Sequence, residues 1–209
     1  MTTKFWTNQT VNLQTVLGAA KTMTAITKAS NGVATCSGGD LPTNGDWILL
    51  EVTGMRQAHR RVGKVSGATG TTFNIGLDTT DFDTFVSGTF KKITFGASFS
   101  SLRDITSSGG DAVFEDTTTI HDADQNQAIV GSSPLTYSGT NDWEVTNAAL
   151  IEANKAYIAR TPRAFQMVDP DGTVFNGYGY VLAPLHPIPS GKKKVTPIAF
   201  TLLAPGTTF

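Results

Sequence analysis

Turn-forming dipeptides interrupt this chain before any apolar run grows long. Asn31-Gly32, Asn44-Gly45, Asp171-Gly172 and Asn176-Gly177 each offer the positive-φ geometry of a tight reversal. Between them the apolar residues form short stretches in which alternate positions are apolar, the period of a strand with one buried face. A mainly β chain is therefore expected. The first set of strands falls near 33–35, 47–52, 61–65, 72–75 and 88–93, short and turn-bounded, as in a small barrel. A longer set follows near 94–101, 112–116, 133–138, 163–168, 174–183 and 193–203. There Phe165, Met167, Val174, Tyr178, Tyr180 and Leu182 fall on alternate positions, as a half-buried sheet requires.

One segment departs from this period. In NAALIEANKAYIAR, Leu150, Ile151, Tyr157 and Ile158 form a stripe at helical spacing. Thr146 or Asn147 can cap the start, Lys155 and Arg160 suit the negative end of the helix dipole, and Pro162 closes the segment. A single α-helix near 147–160 is expected to lie across one face of the second sheet.

Of the 209 residues, 39% are hydrophobic, including 12 Phe, enough to build a core without disulfide or metal staples. The single cysteine, Cys36, leaves no partner for an internal disulfide or a cysteine zinc cluster, which suits assembly in a reducing cytoplasm. No secretion signal is expected from Met1–Val11, and no apolar stretch approaches the ~20 residues that span a bilayer. The formal net charge of -1 hides an asymmetry: no Lys or Arg occurs from Asp104 to Asn154, a stretch that carries Asp104, Asp111, Glu115, Asp116, Asp122, Asp124, Asp142, Glu144 and Glu152. Such a surface repels a phosphate backbone.

The stretch from Ile26 to Phe82, with Asn31-Gly32-Val33, Asn44-Gly45-Asp46, Gly54-Met55, Arg61-Val62, Thr72-Phe73 and Leu77-Asp78-Thr79-Thr80, resembles a module of phage tail proteins likened to a small β domain of ubiquitin-activating enzymes. Val33, Ile48, Leu50, Val52, Val62, Val65 and Phe73 are its expected inward residues. Cys36–Asp40 departs from the usual Ala-His-Gly loop there. The flanks MTTKFWTNQTVNLQTVLGAAKTMTAIT, KKITFGASFSSL and DAVFEDTTTIHD, and the ending VFNGYGYVLAPLHPIPSGKKKVTPIAFTLLAPG, resemble tail tube proteins of long non-contractile phage tails.

The resemblance implies a tube-type β-sandwich or barrel core, residues 1–24 and 92–209, carrying an inserted small β-barrel at 25–91. It implies six copies per ring, rings stacked into a tube, and four strands of each copy lining the bore. About 24 strands spaced ~4.8 Å and tilted ~45° enclose a circle roughly 50 Å across, wide enough for duplex DNA to pass without specific binding. Asp104, Asp111 and Glu115 are acidic candidates for the bore. An extended loop reaching neighbouring subunits falls at Asp116–Gln127, with Asp116, Thr117, Thr118, Thr119, Ile120, His121 and Asp122 as contact candidates. Lys192, Lys193 and Lys194 form a basic turn that can pair with acids of the next ring, or simply face solvent. The implied partners are other copies of the chain and the tail tip or baseplate, tape measure and tail terminator proteins, in a virion assembled in the host cytoplasm.

No catalytic, metal or cofactor arrangement has the spacing its chemistry needs. His59, His121 and His186 are scattered. Asp122, Asp124 and Asn126 begin like a calcium loop, but Gln127 and Ser133 occupy its glycine and glutamate positions. Asp169-Pro170-Asp171-Gly172 reads as a hairpin turn, and Gly177-Tyr178-Gly179 as a site of close strand packing rather than a dinucleotide loop. The rival readings are a carbohydrate-binding tail-tip or fibre adhesin using Trp6, Trp47 and Trp143, a hydrolase using Glu115 and Asp116, and a tail terminator or capsid decoration protein.

Overall fold

A computed structural model of the chain describes residues 9–37, 41–119 and 124–209. The chain opens with β1 (Thr10–Leu17) and β2 (Lys21–Ile26). Five short strands follow: β3 (Val33–Cys36), β4 (Trp47–Thr53), β5 (Val62–Lys64), β6 (Ser66–Thr69) and β7 (Thr72–Asn74). The 13-residue β8 (Ser87–Phe99) leads to β9 (Leu102–Ser108), the hairpin of β10 (Ala112–Asp116) and β11 (Gln127–Ser132), and β12 (Thr136–Asp142). Helix α1 (Ala148–Ala159) precedes β13 (Arg163–Val168), β14 (Val174–Leu182), β15 (Ile188–Ser190), β16 (Lys193–Leu202) and β17 (Thr207–Thr208).

The protein is mainly β with a single α-helix among the described residues, as the turn punctuation predicts. The strands do not form two separate sheets. One antiparallel sheet follows the path β6-β7-β3-β2-β8-β1-β13-β14-β16-β12-β9, with β4, β5, β15 and β17 attached at its sides, and β10 and β11 pair apart from it. The stretches expected at 88–93 and 94–101 are one strand, because β8 pairs along its first half with β2 and β4 and along its second half with β1. Register shifts beside Thr15 and Gly96 re-aim the side chains of both strands there.

Curling of this sheet makes two main cores. In the first, Leu13, Phe99, Phe165, Met167, Ile198 and Phe200 are buried together. Phe99 of β8 meets Phe200 of β16 edge to face at 5.9 Å although three strands separate them along the sheet, so the sheet folds over on itself like a sandwich. In the second core Met23, Ala34, Ile48, Leu50, Met55 and Phe73 pack around Phe90 of β8. Curl there stops short of a closed barrel. β5 meets the end of β7 through the Lys64 N–H to the Ile75 oxygen (3.1 Å) rather than a ladder, and Gly76, at φ 70°, then turns the chain away. Most of the inward residues expected in this region are buried, but Val33 is only half-buried; Ala34 and Cys36 occupy the inner face of β3.

The helix begins where Asn147 accepts hydrogen bonds from the Ala149 and Leu150 amides (2.9 and 3.1 Å), and ends at Arg160 in the left-handed region. Its buried face is not the expected bulky stripe. Ala149, Leu150, Ala153 and Ala156 face the sheet, small enough for close approach, while Tyr157 and Ile158 are left outside. Gly45 and Gly172 take positive φ in turns as expected, but Asn176-Gly177 lies inside β14. The buried Asn176 side chain accepts a hydrogen bond from Gln166 on β13 (3.2 Å).

Candidate assembly surfaces

The β10–β11 hairpin stands clear of both cores. Every residue of its two strands is exposed. Phe114 and Ile129 are direct cross-strand partners, so they share a face, at 56% and 67% exposure, and Val130 is the extra residue of a bulge beside them. Isolated two-strand sheets are marginal in water, and burial stabilises a Phe or Ile by about 1.5–3 kcal/mol. The loop at the tip is organised from within. The Asp116 carboxylate accepts from the Thr118 N–H (2.9 Å), and Thr117 and Thr118 bond Asn126 across the tip. The Thr118 bonds hold the Asp116 carboxyl below the usual carboxylate range. Ile120, His121 and Asp122 lie outside the described residues. Asp111 and Glu115 belong to this hairpin region, and Glu115 and Asp116 are neighbours on one strand, so their side chains leave on opposite faces and do not flank a common cleft.

A second surface is the outer face of β9, β12, β16 and β14. The inner face of these strands buries Ile198, Phe200 and Leu202, so the alternate residues point out. On β9, β12 and β16 many of those residues are small and hydroxyl-bearing, whereas β14 adds the bulkier Tyr180 and Leu182. Thr106 meets Ser138 at 3.0 Å between side-chain oxygens, and Thr136 meets Thr201 at 3.1 Å, which places all four on this face. Registers add Thr140 opposite Pro197, and Ser138 and Leu182 opposite Ala199. Charge gathers at one end, where Arg103 binds Asp142 at 2.8 Å and Lys193 approaches the same carboxylate at 4.0 Å. Asp104, exposed and at φ 54°, sits at the irregularity where β9 and β12 fall out of register.

The third surface is a groove of about 590 Å³ between the end of α1 and β14, lined by Tyr157, Ile158, Arg160, Tyr180 and Leu182 among others. It exists because β13 starts only at the position opposite Gly179, leaving residues 180–182 of β14 paired on the β16 side while the helix end flanks them. Ile158 is 72% exposed, and Tyr157, Tyr180 and Leu182 are also open to solvent. The helix stripe and strand alternation pick out these four residues in the sequence, but as core; nothing in the one-dimensional pattern says that β13 stops short.

The remaining candidates are tied into the chain. Lys193 reaches Asp142, and the Lys194 ammonium lies over the Trp143 ring at 5.4 Å, while Lys192 is exposed in the β15–β16 turn. The Trp143 ring N–H donates to the Leu185 oxygen (3.1 Å), and Trp47 packs edge to face on Phe95 and Phe209. These two rings are therefore structural, and Trp6 lies outside the described residues. An exposed apolar hairpin, a free small-hydroxyl sheet face and an open apolar groove define the class: a β-structured assembly protein, whose work is contact with other chains.

The chain belongs to the phage tail tube protein family (TTP), whose profile matches residues 53–192, from the last residue of β4 to the β15–β16 turn. No individual curated protein matches it. It is accordingly a structural component of the phage virion, a tail protein that self-assembles with others into the tube, and not an enzyme.

Proposed function

We propose that six copies close into a ring and that rings stack into the tube of a long non-contractile tail, through which double-stranded DNA is ejected. The observation that carries this reading is the outer face of β9, β12 and β16, three adjacent strands with small hydroxyl-bearing side chains on the side away from the core. As a bore lining it offers passing phosphates neither a row of cations to bind nor bulky side chains to obstruct. Asp104 borders this face and adds negative charge; Asp111 and Glu115 add theirs from the hairpin side of the subunit. The loop at Asp116–Gln127 reaches a neighbouring subunit, and Lys192, with Lys193 and Lys194 behind it, meets acids of the next ring.

Residues 25–91 act as an insertion of the ubiquitin-activating-enzyme-like kind that projects outward, while 1–24 and 92–209 form the tube wall. Assembly takes place in the host cytoplasm on the tail tip, with the tape measure and terminator proteins setting length. Negative-stain electron microscopy of the purified protein over a concentration series tests the reading. Hollow tubes of six-fold symmetry, with a bore wide enough for duplex DNA, are expected. Dispersed particles at every concentration, even with tail-tip complexes added as seeds, would overturn it.

A further inference from the structure

We propose that Phe114 and Ile129 of one copy seat in the groove between α1 and β14 of a neighbouring copy, so that the ring contact is head to tail. This rests on the tube reading above and names the receiving surface for the projecting hairpin. Two apolar surfaces lack cover within the chain, and they are unlike each other. One is a protruding two-strand ribbon, the other a concave site whose open side is formed by Tyr157, Ile158, Tyr180 and Leu182. A protrusion seated in the hollow of the next subunit, with that subunit's own protrusion passed on to a third copy, is a head-to-tail contact that closes into a ring or runs on as a filament.

Charge agrees with the same pairing. The hairpin region carries Asp111, Glu115 and Asp116 and no Lys or Arg, whereas the groove is lined by Arg160, held by the left-handed turn that ends α1. At about 590 Å³ the hollow is large enough for more than one bulky side chain. Removing both apolar faces from water favours the seating, and the Arg160 guanidinium facing Asp116, which shares the Phe114 face of β10, sets its orientation.

Cysteine cross-linking tests the contact in assembled protein, with the native Cys36 buried out of reach. Ile129→Cys and Leu182→Cys variants are mixed, assembled with wild-type copies and oxidised. A covalent dimer is expected from the mixture and from neither variant alone, and I129C/L182C is expected to give a ladder of higher multimers. Tubes that yield no dimer from the mixture would overturn the docking while leaving the tube reading intact. Failure of the wild-type protein to form tubes would instead remove the reading beneath it. As an independent measurement, Arg160→Glu is expected to reduce tube formation at least tenfold at equal concentration, and Asp116→Arg in the same chain to restore it. An R160E protein that assembles like wild type would count against the proposal.

Discussion

A methyl group on Gly179 would overlap the Thr201 carbonyl oxygen of the adjacent strand, and one on Gly177 would strike Leu202 and Phe165. Gly179→Ala is therefore expected to destabilise the subunit by about 1–3 kcal/mol, as overpacking does in dense cores, measured by urea unfolding. At the helix start, Asn147→Ala removes the acceptor for two amides and should cost about 1 kcal/mol in the same assay. Asp116 carries a pH dependence. Its carboxyl titrates lower in the folded hairpin than in the unfolded chain, so its contribution is fully present above the unfolded value of about 3.9 and is lost as pH falls through the lower folded value. The protection of the Thr118 amide relative to its intrinsic exchange rate should fall over that acidic window, and Asp116→Asn should remove the dependence. The glycine pair in β14 is legible in sequence because its packing role follows from the missing side chain. The adjoining Asn176-Gly177 dipeptide is misleading for a related reason: its turn chemistry is overridden inside a sheet, where the asparagine side-chain oxygen accepts a hydrogen bond from Gln166.

Strand-length elements were legible where alternation was clean and hidden where the buried face is polar or both faces are wet. β1 is a mixed case: Val11 and Leu13 are buried in the core, but Gln14, buried on the other face, accepts from the Ala164 N–H (2.9 Å), Asn12 is bonded by its side-chain amide to Gln166 (3.3 Å), and a bulge interrupts the alternation. β9, with Arg103, Asp104 and Thr106, is mostly exposed and gave no apolar period. The hairpin was half legible: 112–116 reads as a strand, but its partner β11 lacks any internal burial to pattern it. The helix lies where its spacing and cap predict, but its buried face does not follow the bulky stripe, because a sequence shows bulk and not closeness of approach. With the alanine face turned to the sheet, Tyr157 and Ile158 stay on the surface. At this scale Phe114→Ser with Ile129→Ser should leave the melting temperature of the subunit nearly unchanged, since neither side chain is buried within it. Tube formation by the same variant, followed by light scattering, should fall by at least tenfold.

The whole molecule is held by connections that cross between its cores. Phe90 of β8 belongs to one, Ala97 and Phe99 to the other, and Ile93 to a small cluster between them with Leu49, Val62, Ala164 and Tyr178. The final residues add a strap. The buried Thr207 hydroxyl donates to the Val62 oxygen (2.8 Å), Phe209 exchanges backbone hydrogen bonds with Val174, and its ring packs on Trp47. Leu13→Ala, at a fully buried site in one core, is expected to lower stability by about 2–5 kcal/mol. Because the cores share a strand, both should melt in a single calorimetric transition rather than two. Where domains are normally joined by a flexible linker, this chain has the unbroken backbone of β8, with neighbours paired along both halves. A part mounted that way cannot swivel. On an assembled tail the outer portions would repeat with the same angular and axial regularity as the wall itself, so averaged micrographs would show them as sharp as the wall and not as a blurred halo.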